Sequence, residues 1–136
     1  MRNYDLERFV RAQDADRSFD QAMRELDAGQ KRSHWMWWVF PQTIGLGSSG
    51  TSRKYAIGSL EEAIAYAAHP ILGLRLREAT RRVLAIEGHS ALEILGSAID
   101  EKNLRSSMML FLRACPSDPL FALVLDKYYN GQSSAC

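Results

Sequence analysis

The sequence predicts an all-α fold: a compact, irregular multihelical single domain of about six to eight helices. Three observations carry that expectation. Apolar residues recur at three- and four-residue spacing along most of the 136-residue chain. Serine or aspartate precedes many of these stripes, and glycine or proline follows them. No segment shows the period-two alternation and β-branched enrichment of a strand, and no block repeats as in a solenoid.

Taken in order, a first helix is expected around Leu6, Phe9, Val10 and Gln13, with Asn3 as its N-cap. Ser18 and Gln21 form a capping-box pattern for a second, with Phe19, Ala22, Met23 and Leu26 on one face and Gly29 as its stop. Ser33-His34-Trp35-Met36-Trp37-Trp38-Val39-Phe40-Pro41-Gln42 is apolar on every side. It reads as a short buried helix ended by Pro41, with Trp35, Trp38 and Phe40 in the core. The Gly- and Ser-rich stretch from Thr43 to Gly58 reads as one long loop, a length at which loops often serve function.

Ser59 and Glu62 mark the next capping box, opening a helix through Leu60, Ala63, Ile64 and Ala67 that ends near His69. Pro70 suits the first turn of the following helix, whose core stripe is Leu72, Leu76, Ala79 and Val83, with Arg75, Glu78 and Arg82 pairing along its wet side and Gly88 as its stop. Ser90 and Glu93 start a short helix through Leu92 and Leu95 to Gly96. A longer one, about Ala98–Ala114, buries Leu104, Met108 and Phe111. Ser117, Asp118 and Pro119 open the last, which turns Phe121, Leu125, Tyr128 and Tyr129 inward before Gly131. The domain is thus expected over residues 1–131, with 132–136 a frayed tail.

Composition narrows the function classes. Hydrophobic residues at 46% and charged residues at 24% describe a packed globule. A net charge of +1, from 17 basic and 16 acidic side chains, provides no field that would select nucleic acid or an anionic membrane. No secretory leader is visible and no apolar run is long enough to span a bilayer, so a soluble cytoplasmic protein is expected. Cys115 and Cys136 form no C-x-x-C pair; the first is expected as a small buried residue and the second as a free thiol.

Gly45-Leu46-Gly47-Ser48-Ser49-Gly50 matches G-x-G-x-x-G, but Pro41 interrupts the candidate strand before it and no βαβ alternation follows. The stretch is expected to be a flexible loop, and no cofactor is implied. His34, His69 and His89 have no ligand-spaced neighbours, which argues against a metal site. No nucleophile elbow or H-E-x-x-H motif fixes a reaction class, so the sequence leaves open whether the chain is an enzyme.

Two features remain. His34 stands among Trp35, Trp37 and Trp38, where a polar ring is either satisfied within the core or belongs to a pocket. Lys102, Ser106, Met109 and Arg113 share one helix face, and with Ser107 nearby they can form either a solvated strip or a small anion site. Combined, these residues suggest one ligand pocket of His34, Trp35, Trp37, Gln42, Tyr55, Lys102, Ser106 and Ser107. Lys102 would hold an anionic group, His34 would serve as donor or general base, and Gln42 would orient the ligand. The alternative is a protein-interaction or homodimerising module that exposes part of the aromatic cluster or the Tyr128-Tyr129 face.

The segment His34-Trp35-Met36-Trp37-Trp38-Val39-Phe40-Pro41-Gln42 resembles the H-W-M-W-aromatic-x-F-P-Q hallmark of a bacterial domain-of-unknown-function family, number eighteen-ten. Further blocks resemble it in order, among them Leu6 to Val10, Tyr55 to Ile57, His69 to Gly73, Lys102 with Ser106 to Met108, and Phe121 to Gly131, covering nearly the whole chain. The resemblance implies a mainly helical domain without an established activity. Members commonly end in an acidic residue and a threonine, where this chain ends Gly131-Gln132-Ser133-Ser134-Ala135-Cys136. The calpastatin label carried by some members does not suit an aromatic-rich helical chain, because calpastatin's inhibitory repeats are disordered. More distantly, the lysine-bearing helix at Lys102 and the Tyr129-Asn130-Gly131 ending resemble the family that removes ADP-ribose from nucleobases; this supports no carry-over of site residues and leaves nucleotide or ADP-ribose chemistry a guess.

Overall fold

The computed structural model of the chain describes residues 4–43 and 49–129. Among them lie six α-helices of eight residues or more: α1 (Glu7–Asp14), α2 (Ser18–Asp27), α5 (Leu60–Ala68), α6 (Leu72–Ala85), α8 (Ala98–Ala114) and α9 (Leu120–Tyr129). Three of four or five residues complete the set: α3 (Met36–Val39), α4 (Gly50–Lys54) and α7 (Ala91–Leu95). Extended pairing among these residues is limited to an isolated parallel bridge between Thr43 and Ile57. No helix is long and apolar enough to cross a membrane.

Amphipathic helices become stable by covering one another's apolar faces. Here α8 is the middle layer, packed by α5, α9, α7 and α3, while α6 joins α5, α9 and α2. Aromatic rings link four of these elements: Phe9 meets Tyr66 edge-on at 5.1 Å, Tyr66 meets Phe111 at 5.4 Å, and Phe111 meets Phe121 at 5.9 Å. Burial raises the Tyr66 hydroxyl far above its ordinary pKa, against the bond from Gln13 and the fields of Arg75 and Arg8.

Local expectations hold where the partner is local. Ser90 and Glu93 close a full capping box on α7, and Gly29 and Gly96 end α2 and α7 with φ of +76° and +81°. They fail where tertiary contacts intervene. Asn3 lies outside the described residues, and Leu6 occupies the N-cap of α1 without a side-chain cap. Between α1 and α2 a 3-10 turn (Ala15–Arg17) places both Asp16 (φ 52°) and Arg17 (φ 55°) in the left-handed region. Arg17 therefore becomes the N-cap of α2, and Ser18 instead accepts the Trp38 indole N–H at 2.8 Å.

Ser59 caps α5 as expected, but the Glu62 carboxylate does not return to it; it accepts Gly58 N–H at 2.9 Å and Arg8 at 3.0 Å. Leu60, Ile64 and Leu92 are exposed rather than on core stripes, because Tyr66 and Ile94 fill those interior positions. Arg82 pairs with Glu78 at 2.7 Å, whereas Arg75 leaves that row for Asp14 at 2.9 Å and Gln13 at 3.2 Å. The expected loop from Thr43 to Gly58 contains α4, capped by Ser49. Gly45 to Ser48 lie outside the described residues, as does the expected tail over 132–136. Cys115 is half-buried, not buried.

Two contacts set the angle and ending of α6. A side chain at Gly73 would put its Cβ 2.2 Å from the Ala67 carbonyl oxygen, so only glycine lets α6 start this close to α5. At the other end, Lys127 donates to the Leu84 and Ile86 carbonyls at 2.6 and 2.5 Å, and Tyr128 donates to the Val83 carbonyl at 2.6 Å. Side chains of α9 thus supply donors to the Leu84 and Ile86 carbonyls and a second donor to Val83, whose carbonyl also accepts the Ile86 N–H.

Candidate functional site

The aromatic segment is positioned by a carboxylate that sequence patterns do not reveal. Glu25, buried in the last turns of α2, accepts the backbone N–H groups of Arg32 and Ser33 at 2.6 and 2.9 Å, the Ser33 hydroxyl at 2.5 Å, the Trp35 indole at 2.8 Å and the Gln21 amide at 2.8 Å. Burial alone would raise its pKa, but the bonds from Ser33, Arg32, Gln21 and Trp35 outweigh that and hold it at about 2. Lys31 is tied alongside, its backbone N–H on the Ile94 carbonyl at 2.7 Å and its ammonium on Asp100 at 2.9 Å. These anchors leave the Ser33-His34 corner standing between two clefts.

The first cleft, about 440 Å³, has walls of Trp35, Trp38 and Tyr55 and a rim of Asp16, Ser18 and Gln21. Trp38 and Tyr55 meet edge-on at 5.3 Å. Trp38 is half-buried rather than a full core residue because its free face belongs to this cleft, while Trp35 and Phe40 are buried as expected. The left-handed Asp16 sits on the rim, a costly backbone state of the kind found at ligand sites. The second cleft, about 370 Å³, is lined by Lys31, Arg32, Trp37, Ser97 and Asp100. Ser97 is the N-cap of α8, so the positive end of a long helix dipole faces this space together with Arg32 and the Lys31–Asp100 ion pair. Ser33 and His34 line both clefts.

The eight residues expected around one pocket are distributed. His34 meets Trp35 and Tyr55 in the first cleft and Trp37 in the second. Ser106 lines a third cleft of about 170 Å³ with Thr43, Met109, Leu110 and Arg113. Gln42 and Ser107 are buried, and the Gln42 side-chain oxygen Oε1 and the Ser107 hydroxyl find no partner among the described residues. Lys102 is exposed on α8 and lines neither His34 cleft; the lysine beside His34 is Lys31. Sequence reading passed over Glu25, Lys31 and Ser97. Only Ser97 carried a local signal, a serine three residues before Asp100 at the start of an apolar stripe.

The chain matches the family model described as "Protein of unknown function (DUF1810)" over residues 3–136, the family that its motif blocks resemble. Among solved structures it is similar to the conserved hypothetical protein Rv1873 from Mycobacterium tuberculosis, with 49% identity and a TM-score of 0.90 over 94% of this chain and 89% of that one. No curated protein matches it.

Proposed function

The chain belongs to the DUF1810 family, and we propose that it binds a nucleotide-related small molecule across the two clefts that meet at His34. The carrying observation is that Ser33 and His34 line both an aromatic cleft and one that holds Arg32 and the N-terminus of α8. A planar ring stacks on the free face of Trp38 against the edge of Tyr55, and an attached phosphate faces Arg32 and the N-terminus of α8. His34, at the corner, hydrogen-bonds the linkage between them. Each cleft has the volume of an ordinary small-ligand site.

Ligand binding stabilises the fold by mass action, by about 2.7 kcal/mol at a hundredfold excess over Kd, which is several degrees in Tm. A thermal-shift panel of nucleoside monophosphates, ADP-ribose, nucleosides and phosphate should contain a nucleotide that raises Tm more than its parts. His34→Ala and Arg32→Ala should each reduce that rise. A panel in which no nucleotide shifts Tm would sink the reading. Whether Lys102 joins the same ligand is tested by Lys102→Ala, which then also reduces the rise.

A second reading, an interaction or homodimerising module, draws on the exposed apolar side chains Leu74 and Ile99, at 71% and 66%. Sedimentation at increasing concentration tests it, with Leu74→Glu and Ile99→Glu expected to prevent any association.

A further inference from the structure

The third cleft is unlike the other two in what lies behind its wall. Thr43 and Ser106 line it, and their chain neighbours Gln42 and Ser107 are buried side chains whose polar atoms have no partner among the described residues. Asn103, one turn before Ser107 on the same inward face of α8, adds an unpartnered amide nitrogen at 5% exposure. Buried polar groups are nearly always hydrogen-bonded, so three such groups on adjoining elements need an account. Together they present an acceptor in the Gln42 side-chain oxygen, a donor in the Asn103 amide and a hydroxyl that does both.

The outer face of the same helix contributes charge. Lys102, Ser106, Met109 and Arg113 follow one another at helical spacing, and Arg113 stands at the cleft. Neither Lys102 nor Arg113 forms an ion pair among the described residues, whereas Arg75, Arg77, Arg82 and Lys127 are all paired with carboxylates. An exposed, unpaired Arg113 beside Ser106, over a buried neutral hydrogen-bonding layer, suits a ligand with an anionic end and a hydroxylated end. At about 170 Å³ the cleft is well below the size of a whole-nucleotide site.

We propose that the α8 cleft, with Ser106 and Arg113 in its lining and Gln42, Asn103 and Ser107 behind it, is a second ligand site that takes a small hydroxylated anion. It shares no lining residue with the His34 clefts and stands independently of the nucleotide reading. The anion rests on Arg113, and the hydroxyls replace the missing partners of the inner groups. Entry requires the flexible Met109 side chain to turn aside, a fast rotamer change.

Calorimetric titration of the full chain with glycerol 3-phosphate and with glycerate tests the site and separates phosphate from carboxylate ligands. Glycerol, inorganic phosphate and acetate serve as the separate halves. At least one hydroxylated anion should bind about tenfold more tightly than either of its halves. Arg113→Ala should weaken it about tenfold. Ser107→Ala should weaken it by a similar factor while Tm holds or rises, since a purely structural serine would change Tm without touching affinity. His34→Ala should leave the affinity unchanged. The proposal fails if neither anion binds saturably, if phosphate or acetate alone binds as tightly, if Ser107→Ala and Arg113→Ala keep full affinity, or if His34→Ala abolishes binding.

Discussion

The corner at Glu25 and the inner face of α8 both bury polar side chains, yet they are finished differently. Around Glu25 five donors converge on one carboxylate. Behind the α8 cleft, polar atoms of Gln42, Asn103 and Ser107 find no partner among the described residues. A buried polar group without a partner costs about 1–3 kcal/mol, so the first region adds to stability and the second subtracts from it. The contrast separates two kinds of polar burial: the Glu25 corner holds the aromatic segment in place, and the α8 layer adds no such side-chain bonds among the described residues.

Mutations should separate the two. Trp35→Ala and Phe40→Ala should each cost about 3–5 kcal/mol, measured by urea denaturation, because both rings are buried in the core. Losses under about 1 kcal/mol for both would break the assignment of this segment as the stable half.

A titration sharpens the comparison further. The Glu25 pKa falls from 4.5 to about 2 on folding. A depressed carboxylate adds stability that is fully present above its unfolded pKa and is lost as pH falls through the folded one. Between pH 4.5 and 2 the chain should therefore lose roughly 3 kcal/mol that the Glu25→Gln variant never had. Equal acid sensitivity in both proteins would dissociate the corner from the carboxylate. In the other region the effects should be small and of opposite sign. Ser107→Ala should leave stability unchanged or raise it by up to about 1 kcal/mol, because it removes an unsatisfied hydroxyl. Lys102→Ala should stay within about 0.5 kcal/mol of the parent chain, as an exposed residue without an ion pair.

Legibility in the sequence follows the reach of each interaction. The stripes of α6 and α8, the capping box at Ser90 and the glycine stops at Gly29 and Gly96 were readable because their partners lie within a turn or two. Ser18 was misread because its partner, Trp38, is 20 residues away, and the left-handed pair at Asp16 and Arg17 takes over the start of α2. Glu25 resembles any solvent-facing helix acid until Ser33 and Trp35 fold back on it. At the candidate sites, residue type and spacing single out His34 and the Lys102-Ser106-Arg113 face as candidates. Which of these residues share a cleft was not legible, since that depends on how α3 and α8 pack.

The finishing of α6 by α9 has a consequence for synthesis. The last turn of α6 completes its hydrogen bonding through Lys127 and Tyr128, more than forty residues further along. While a ribosome is still adding the segment between them, the Leu84 carbonyl at the end of α6 has only water, and α8 lacks the helix that covers Phe111. Closure of the core is therefore a late event that waits for α9 to clear the exit tunnel. A chain halted before that point presents its apolar interior to whatever holds nascent proteins.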